Sequence, residues 1–158
     1  WARGQAWAIA GMALSYRYER IEEYRQTFDR LLAFYLNRLP ADMVPYWDLV
    51  FSDGDGEPRD SSSASITACG LLEMADLAEP EPAARYRTLA RRMVKSLADH
   101  YAVKDSAVSN GLVLHATYSK KSPFNTCRGE GVDECVSWGD YYYMEALTRL
   151  SRSWSSYW

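Results

Sequence analysis

Three stretches of the chain read as helices with no clear polar face, and they alternate with two helical stretches that have one. Residues 3–18 crowd Ala6, Ala8, Ala10, Gly11 and Ala13 among larger apolar side chains, and residues 61–78 do the same with Ser63, Ala64, Ser65, Ala68 and Gly70. Small residues on every side let neighbouring helices approach closely, so these segments are expected to be interior. By contrast, residues 21–39 set Tyr24, Phe28, Leu31, Leu32, Tyr35 and Leu36 at three- and four-residue steps against Glu22, Glu23, Arg25, Asp29 and Arg38. Beyond Pro80 and Pro82, which separate the third helix from the fourth, Tyr86, Leu89, Met93 and Leu97 form one stripe and Arg85, Arg87, Arg91, Arg92 and Lys95 face solvent. A fifth, crowded helix is predicted over residues 138–152. Crowded and one-sided helices in strict alternation predict helical hairpins, each with an inner helix and an outer one that shields it. A closed toroid and an open solenoid both meet that description; the lack of a regular repeat favours the toroid.

Two long connections interrupt the helices. Residues 40–60, PADMVPYWDLVFSDGDGEPRD, carry three prolines and cannot be continuous helix; Asp60 or Ser61 then supplies an N-cap. Long loops in compact domains are often functional. Residues 110–119, NGLVLHATYS, read as a short extended piece before a second loop over residues 120–133. The acidic run Asp53-Gly54-Asp55-Gly56-Glu57 invites a calcium reading, but an EF-hand counted from Asp53 needs glycine where Pro58 stands and glutamate where Ala64 stands. A turn that leads into the next helix explains the run better, and no metal is expected. His100 and His115 belong to no HExxH set, and no GxSxG elbow is present, so metal-dependent and serine-nucleophile hydrolysis are unsupported.

At 158 residues the chain fits one domain. A net charge of -3 gives no reason to expect a nucleic-acid partner, and no apolar run approaches the ~18 residues of a membrane span. Cys69, Cys127 and Cys135 are odd in number and lack zinc spacing, which points to a reducing cytoplasm; Cys69, among small residues, reads as core. The aromatic content is the unusual feature. Six tryptophans and twelve tyrosines supply flat faces with polar edges, which suit either a sugar cleft or a thick helical core. Arg3 and Trp7 lie four apart on one helix face, where a guanidinium fork for a carboxylate stands beside a stacking surface for a ring, with Gln5 between them. An arginine holding a neighbouring helix end or a buried acid fits the local pattern equally well. Asp140, between Gly139 and a tyrosine triplet, reads as an N-terminal helix residue or a core hydrogen-bond partner.

Four blocks in order, WARGQAWA, YWDLVFSDGDGEPRDSSSASITACGLLEM, GVDECVSWGDYYYMEALTRL and the terminal YW, resemble the carboxy-terminal half of bacterial unsaturated glucuronyl hydrolases, glycoside hydrolase family 88. The resemblance implies an all-α fold, about the last five helices of an (α/α)6 six-hairpin barrel, with residues 1–158 forming the second half of one domain whose amino-terminal half is absent. It implies removal of a 4,5-unsaturated uronic acid from oligosaccharides left by polysaccharide lyases, of glycosaminoglycan type. In that chemistry an aspartic acid protonates the vinyl ether and activates water, so the carboxylate-spacing rule of ordinary glycosidases does not apply.

By the same resemblance Arg3 corresponds to a substrate-contacting arginine, Trp7 and Trp1 stack near the bound rings, Gln5 is a polar neighbour, and Tyr118 lines the cleft. Ser119 and Ser122 occupy places that accept a substrate sulfate in streptococcal-like members, with Lys120, Lys121 and Arg128 as candidates for the accompanying base. The catalytic aspartate is expected upstream, and no aspartate of this chain is given its role. No cofactor and no membrane partner are implied. A half barrel would expose inner helices and could self-associate through them. Alternatives are an unsaturated rhamnogalacturonyl hydrolase and a noncatalytic helical module that binds acidic sugars or protein.

Overall fold

A computed structural model describes residues 1–120 and 131–155. Five helices carry the fold: α1 (Ala2–Glu19), α2 (Glu22–Leu36), α3 (Ser61–Ala75), α4 (Pro80–Ser96) and α5 (Ser137–Ser151). A π-helical turn, Leu97–Tyr101, extends α4 and closes when the Ala102 amide donates to the Leu97 carbonyl at 2.8 Å. Among the described residues there is no β-strand, only three isolated bridges, Tyr46 with Arg59, Ala102 with Val113 and Ala116 with Glu134. The piece over residues 110–119 is thus extended without joining a sheet. Pro80 and Pro82 do not lie between helices; both sit in the first turn of α4, where a missing N–H costs no intrahelical bond. Predicted ends at residues 39 and 78 fall instead at Leu36 and Ala75, since the last turns tighten into capping bonds from Asn37 and Asp76.

All fifteen residues of α3 are buried, which only a central helix can achieve, and α3 packs against α1, α4 and α5. The small residues make this possible. A methyl group placed on Gly70 would lie 2.9 Å from the Ala10 Cα, so the two backbones touch where that side chain is missing. Gly70→Ala is expected to destabilise the fold by about 1–3 kcal/mol through overpacking. Gly11→Ala, with nothing within 4 Å of the added methyl, is expected to stabilise it by up to about 1 kcal/mol. Urea unfolding of both variants checks the contrast; equal effects would refute a backbone contact at residue 70.

Pair contacts fix the helix directions. Arg3 meets Asp60 and Arg17 meets Glu73, so α1 and α3 run the same way; Gly139 lies beside Ser62 and Arg149 pairs with Glu73, so α5 does too. The outer helices run back against them. Gln5 meets Leu31 after a two-residue reversal in which Arg20 takes a left-handed conformation and its amide closes on the Tyr16 carbonyl. Outer α2 buries Phe28, Leu32 and Tyr35, and α4 buries Ala83, Tyr86, Ala90, Met93 and Val94, while Arg85, Arg91, Arg92 and Lys95 are exposed. The two outer helices meet through Phe28 and Tyr86, whose rings stand edge to face at 5.5 Å. The Tyr86 hydroxyl donates to Asp29 at 2.7 Å, and burial together with that bond pushes its pKa up to about 12.

At the C-terminal ends of the inner helices lies a buried ion cluster. Glu73, 2% exposed, takes Arg17 on one side and Arg149 at 2.8 Å on the other, and Arg149 Nε donates to Glu145 at 2.9 Å. Burial opposes the Arg149 charge, but Glu73 and Glu145 outweigh it and raise its pKa. Cys69 sits beside this cluster as the small core residue its sequence context indicates. Burial, then the Glu145 charge, pushes its thiol well above the ordinary range, so it stays protonated at neutral pH.

Candidate functional site

Since the three inner helices are parallel, their N-terminal ends lie together, at Ala2, Ser61 and Ser137. None of the three receives a side-chain hydrogen bond at its cap. Unsatisfied backbone amides and the helix dipoles bias such an end toward negative charge. The two long connections return to this end: the Ala2 amide bonds the Trp47 carbonyl at 3.0 Å, and the Ser61 amide bonds the His115 carbonyl at 3.1 Å.

Arg3 is the centre of the site. Its Nη1 donates to the Thr117 carbonyl at 2.7 Å and its Nη2 to the Tyr118 carbonyl at 2.9 Å. Asp60, buried completely, stands 4.0 Å from Nη1, a charge contact rather than a hydrogen bond. Burial pulls the Arg3 pKa down, and the charge on Asp60 pulls it back. Aromatic rings flank the guanidinium, Trp1 at 4.7 Å and Trp138 at 5.0 Å from its central carbon, distances at which the ring faces attract the cation. Tyr118 lies tilted against Trp138 at 5.7 Å, and the next ring along, Tyr142, meets Trp7 edge to face at 5.2 Å. Trp1, Trp7 and Tyr118 keep 48%, 40% and 41% of their surface open, so three rings around a held arginine remain available to stack on a ligand.

Of the two readings of Arg3 left open by its spacing, the structure shows the second. Arg3 holds a neighbouring segment and faces a buried acid, and it does so on the aromatic face that includes Trp7. Gln5 is directed elsewhere. Two residues from Arg3 on a helix is a turn of about 200°, and the Gln5 amide donates to the Leu31 carbonyl at 2.9 Å, facing α2 instead of the site. Ser119 stands beside Tyr118 with its amide on the Gly131 carbonyl at 3.1 Å; Ser122, Lys121 and Arg128 lie outside the described residues, as do Cys127 and the terminal YW block. Lys120 is engaged by Glu57 at 2.6 Å, and Glu57 also accepts from Trp47 Nε1 at 2.8 Å.

The remaining acids are used by the fold around them. Asp53 accepts from the Tyr46 hydroxyl at 2.9 Å and Asp55 from the Ser52 amide at 2.8 Å, with Gly54 and Gly56 at positive φ, so the acidic run is a turn held by its own carboxylates. Asp140 does both things expected of it: it lies in the first turn of α5 and accepts from the Leu112 and Val113 amides, each at 3.0 Å. Among the described residues no three His, Cys, Asp or Glu side chains gather as a metal site, and no helix is long and apolar enough to cross a membrane. Trp138 was not foreseen as part of this face. Its spacing to Tyr142 (i, i+4) was the available signal, but only the parallel packing of α5 on α1 brings it over Arg3.

No protein-family model matches the chain. Similar proteins do. An unsaturated chondroitin disaccharide hydrolase of Streptococcus pyogenes is 44% identical over all of this chain and 39% of its own length. An unsaturated glucuronyl hydrolase variant from Streptococcus agalactiae, solved with dGlcA-GalNAc6S, superposes with a TM-score of 0.89 at 41% identity, covering 100% of this chain and 41% of that one. The unsaturated glucuronyl hydrolase of Bacillus sp. GL1, described as responsible for glycosaminoglycan degradation, superposes with a TM-score of 0.85 at 38% identity over 96% of this chain and 39% of its own. The chain spans about two-fifths of the length of the relatives it matches, and its five helices match part of their helical barrel.

Proposed function

We propose, from the homology of this chain along its whole length to part of the unsaturated glucuronyl hydrolases, that it forms the uronate-recognising part of such an enzyme. In this reading residues 1–158 are the second half of one (α/α)6 barrel. The substrate is an oligosaccharide ending in a 4,5-unsaturated uronic acid, of the glycosaminoglycan type. The Arg3 guanidinium takes the uronate carboxylate, Trp1, Trp7 and Tyr118 flank the sugar rings, and Ser119 stands at the edge where a sulfate would lie. The acid that protonates the vinyl ether and activates water lies outside this chain.

The observation that supports this best is the state of Arg3. Among the described residues, two of its five N–H groups are engaged by carbonyls and the nearest carboxylate stands off at 4.0 Å, and it lies between two aromatic faces at the positive ends of three helices. A planar fork with donors in reserve suits a carboxylate on a ring. Of the acids nearest this face among the described residues, Asp60 is enclosed and Asp140 is held by two amides.

The test follows the double bond of unsaturated chondroitin and hyaluronan disaccharides by its ultraviolet absorbance. The 158-residue chain alone is expected to leave the absorbance unchanged, and the whole protein that carries it to remove it. Turnover by the chain alone would refute the placement of the acid. A whole protein that acts only on pectin-derived unsaturated disaccharides would mark it as a rhamnogalacturonyl hydrolase, and calorimetric binding without any turnover would mark a noncatalytic sugar-binding module.

A further inference from the structure

Asp60 has the burial of a core residue and the charge of a functional one. It is 0% exposed, it precedes the first residue of α3, and burial pushes its carboxyl above the ordinary carboxylate range against the pull of Ser62, Arg3, Ser63 and the Thr117 amide. As a plain helix cap it would accept from an amide of the first turn. It does not; Ser62 Oγ donates to one oxygen at 2.5 Å and Ser63 Oγ to the other at 2.9 Å. Two hydroxyls orient the carboxylate, and the residues on either side of Asp60 hold another segment.

That segment is Thr117–Tyr118. The Thr117 hydroxyl donates to the carbonyl of Arg59, the residue before Asp60, at 2.8 Å, the Ser61 amide after it donates to the His115 carbonyl at 3.1 Å, and Thr117 is itself fully buried. Its carbonyl and that of Tyr118 are the two acceptors of the Arg3 guanidinium. The backbone on either side of Asp60 therefore holds the segment that fixes the plane of the arginine, and the Asp60 charge lies 4.0 Å from the same guanidinium. Enclosed on all sides, Asp60 cannot meet a sugar. It acts through Arg3.

We propose that Asp60 is a positioning residue for uronate recognition, its buried charge, held by Ser62 and Ser63 at 4.0 Å from Nη1, keeping the Arg3 fork turned so that the donors left over face the substrate carboxylate. The proposal rests on the reading of Arg3 as the uronate ligand. A misplaced fork weakens binding of the carboxylate and leaves a substrate without one unaffected.

The experiment compares an unsaturated disaccharide with its uronate methyl ester, using the whole protein. Asp60→Asn keeps the size and removes the charge; it is expected to raise KM for the acid about tenfold, to change kcat less than about threefold, and to leave KM for the ester unchanged. Ser63→Ala, in the first turn of α3, removes one of the two hydroxyls on the carboxylate and is expected to raise KM for the acid about threefold with no effect on the ester. It serves where Asp60→Asn does not fold. In an Arg3→Ala background the Asp60 substitution should add nothing. Equal losses on acid and ester, or an unchanged KM for the acid, would overturn the positioning role. A wild-type enzyme that does not distinguish acid from ester would instead overturn the assignment of Arg3, and the proposal with it.

Discussion

Arg149→Met is expected to lower the free energy of unfolding by about 3–5 kcal/mol, the cost of breaking a buried ion pair from one side. The arginine side chain is 5% exposed and serves two acids, Glu73 at 2% and Glu145 at 3% exposure. Methionine fills much of the volume but gives neither carboxylate a partner. Arg17 still reaches Glu73, while Glu145 loses the cation it holds at 2.9 Å. Uncompensated charge, not lost packing, is then the main term. Adding Glu145→Gln to the variant should restore part of the loss. Urea unfolding reads both, and a loss below about 1 kcal/mol would mean that the cluster is solvated and carries no such weight.

For Arg3→Ala in the whole protein, kcat/KM on an unsaturated disaccharide acid is expected to fall a hundredfold or more, equivalent to about 3 kcal/mol for a charge-assisted fork on a carboxylate. The loss has two sources. A substrate carboxylate loses its donors, and the Thr117 and Tyr118 carbonyls lose theirs, which loosens the segment that carries Tyr118. Lysine should recover little, since a single ammonium cannot hold two carbonyls and a carboxylate in one plane. Retention of more than a tenth of the wild-type kcat/KM would remove Arg3 from the binding site.

The fold was legible because helix periodicity is a local property. Small residues on all faces of residues 61–78 announced a buried helix, and the burial of every residue from Ser61 to Ala75 agrees. The charge stripe of α4 likewise marked its solvent face. The site was legible only as far as one helix reaches. Arg3 and Trp7 four apart can be read as neighbours, yet the carbonyls that hold Arg3 lie 114 and 115 residues away in sequence and belong to an irregular segment with no periodic signal. Gln5, a polar neighbour by resemblance, turns toward α2 because residues two apart on a helix do not share a face. Asp60 reads in sequence as a cap, the role its local pattern suggests, and its place 4.0 Å from the Arg3 guanidinium exists only once α1 and α3 have been brought together.

A helix with no solvent face also divides the chain into parts with different freedom to change. In α3 every substitution is an interior one and must respect the spacing set at Gly70 and Ala10, so this segment can alter only among small or shape-matched side chains. Of the helices, outer α2 and α4 bear most of the exposed charge and can be rewritten residue by residue. A variant library that leaves residues 61–75 fixed and randomises the outward positions of α2 and α4 should keep most of its members folded, which makes those two helices the natural place to attach labels or engineer solubility.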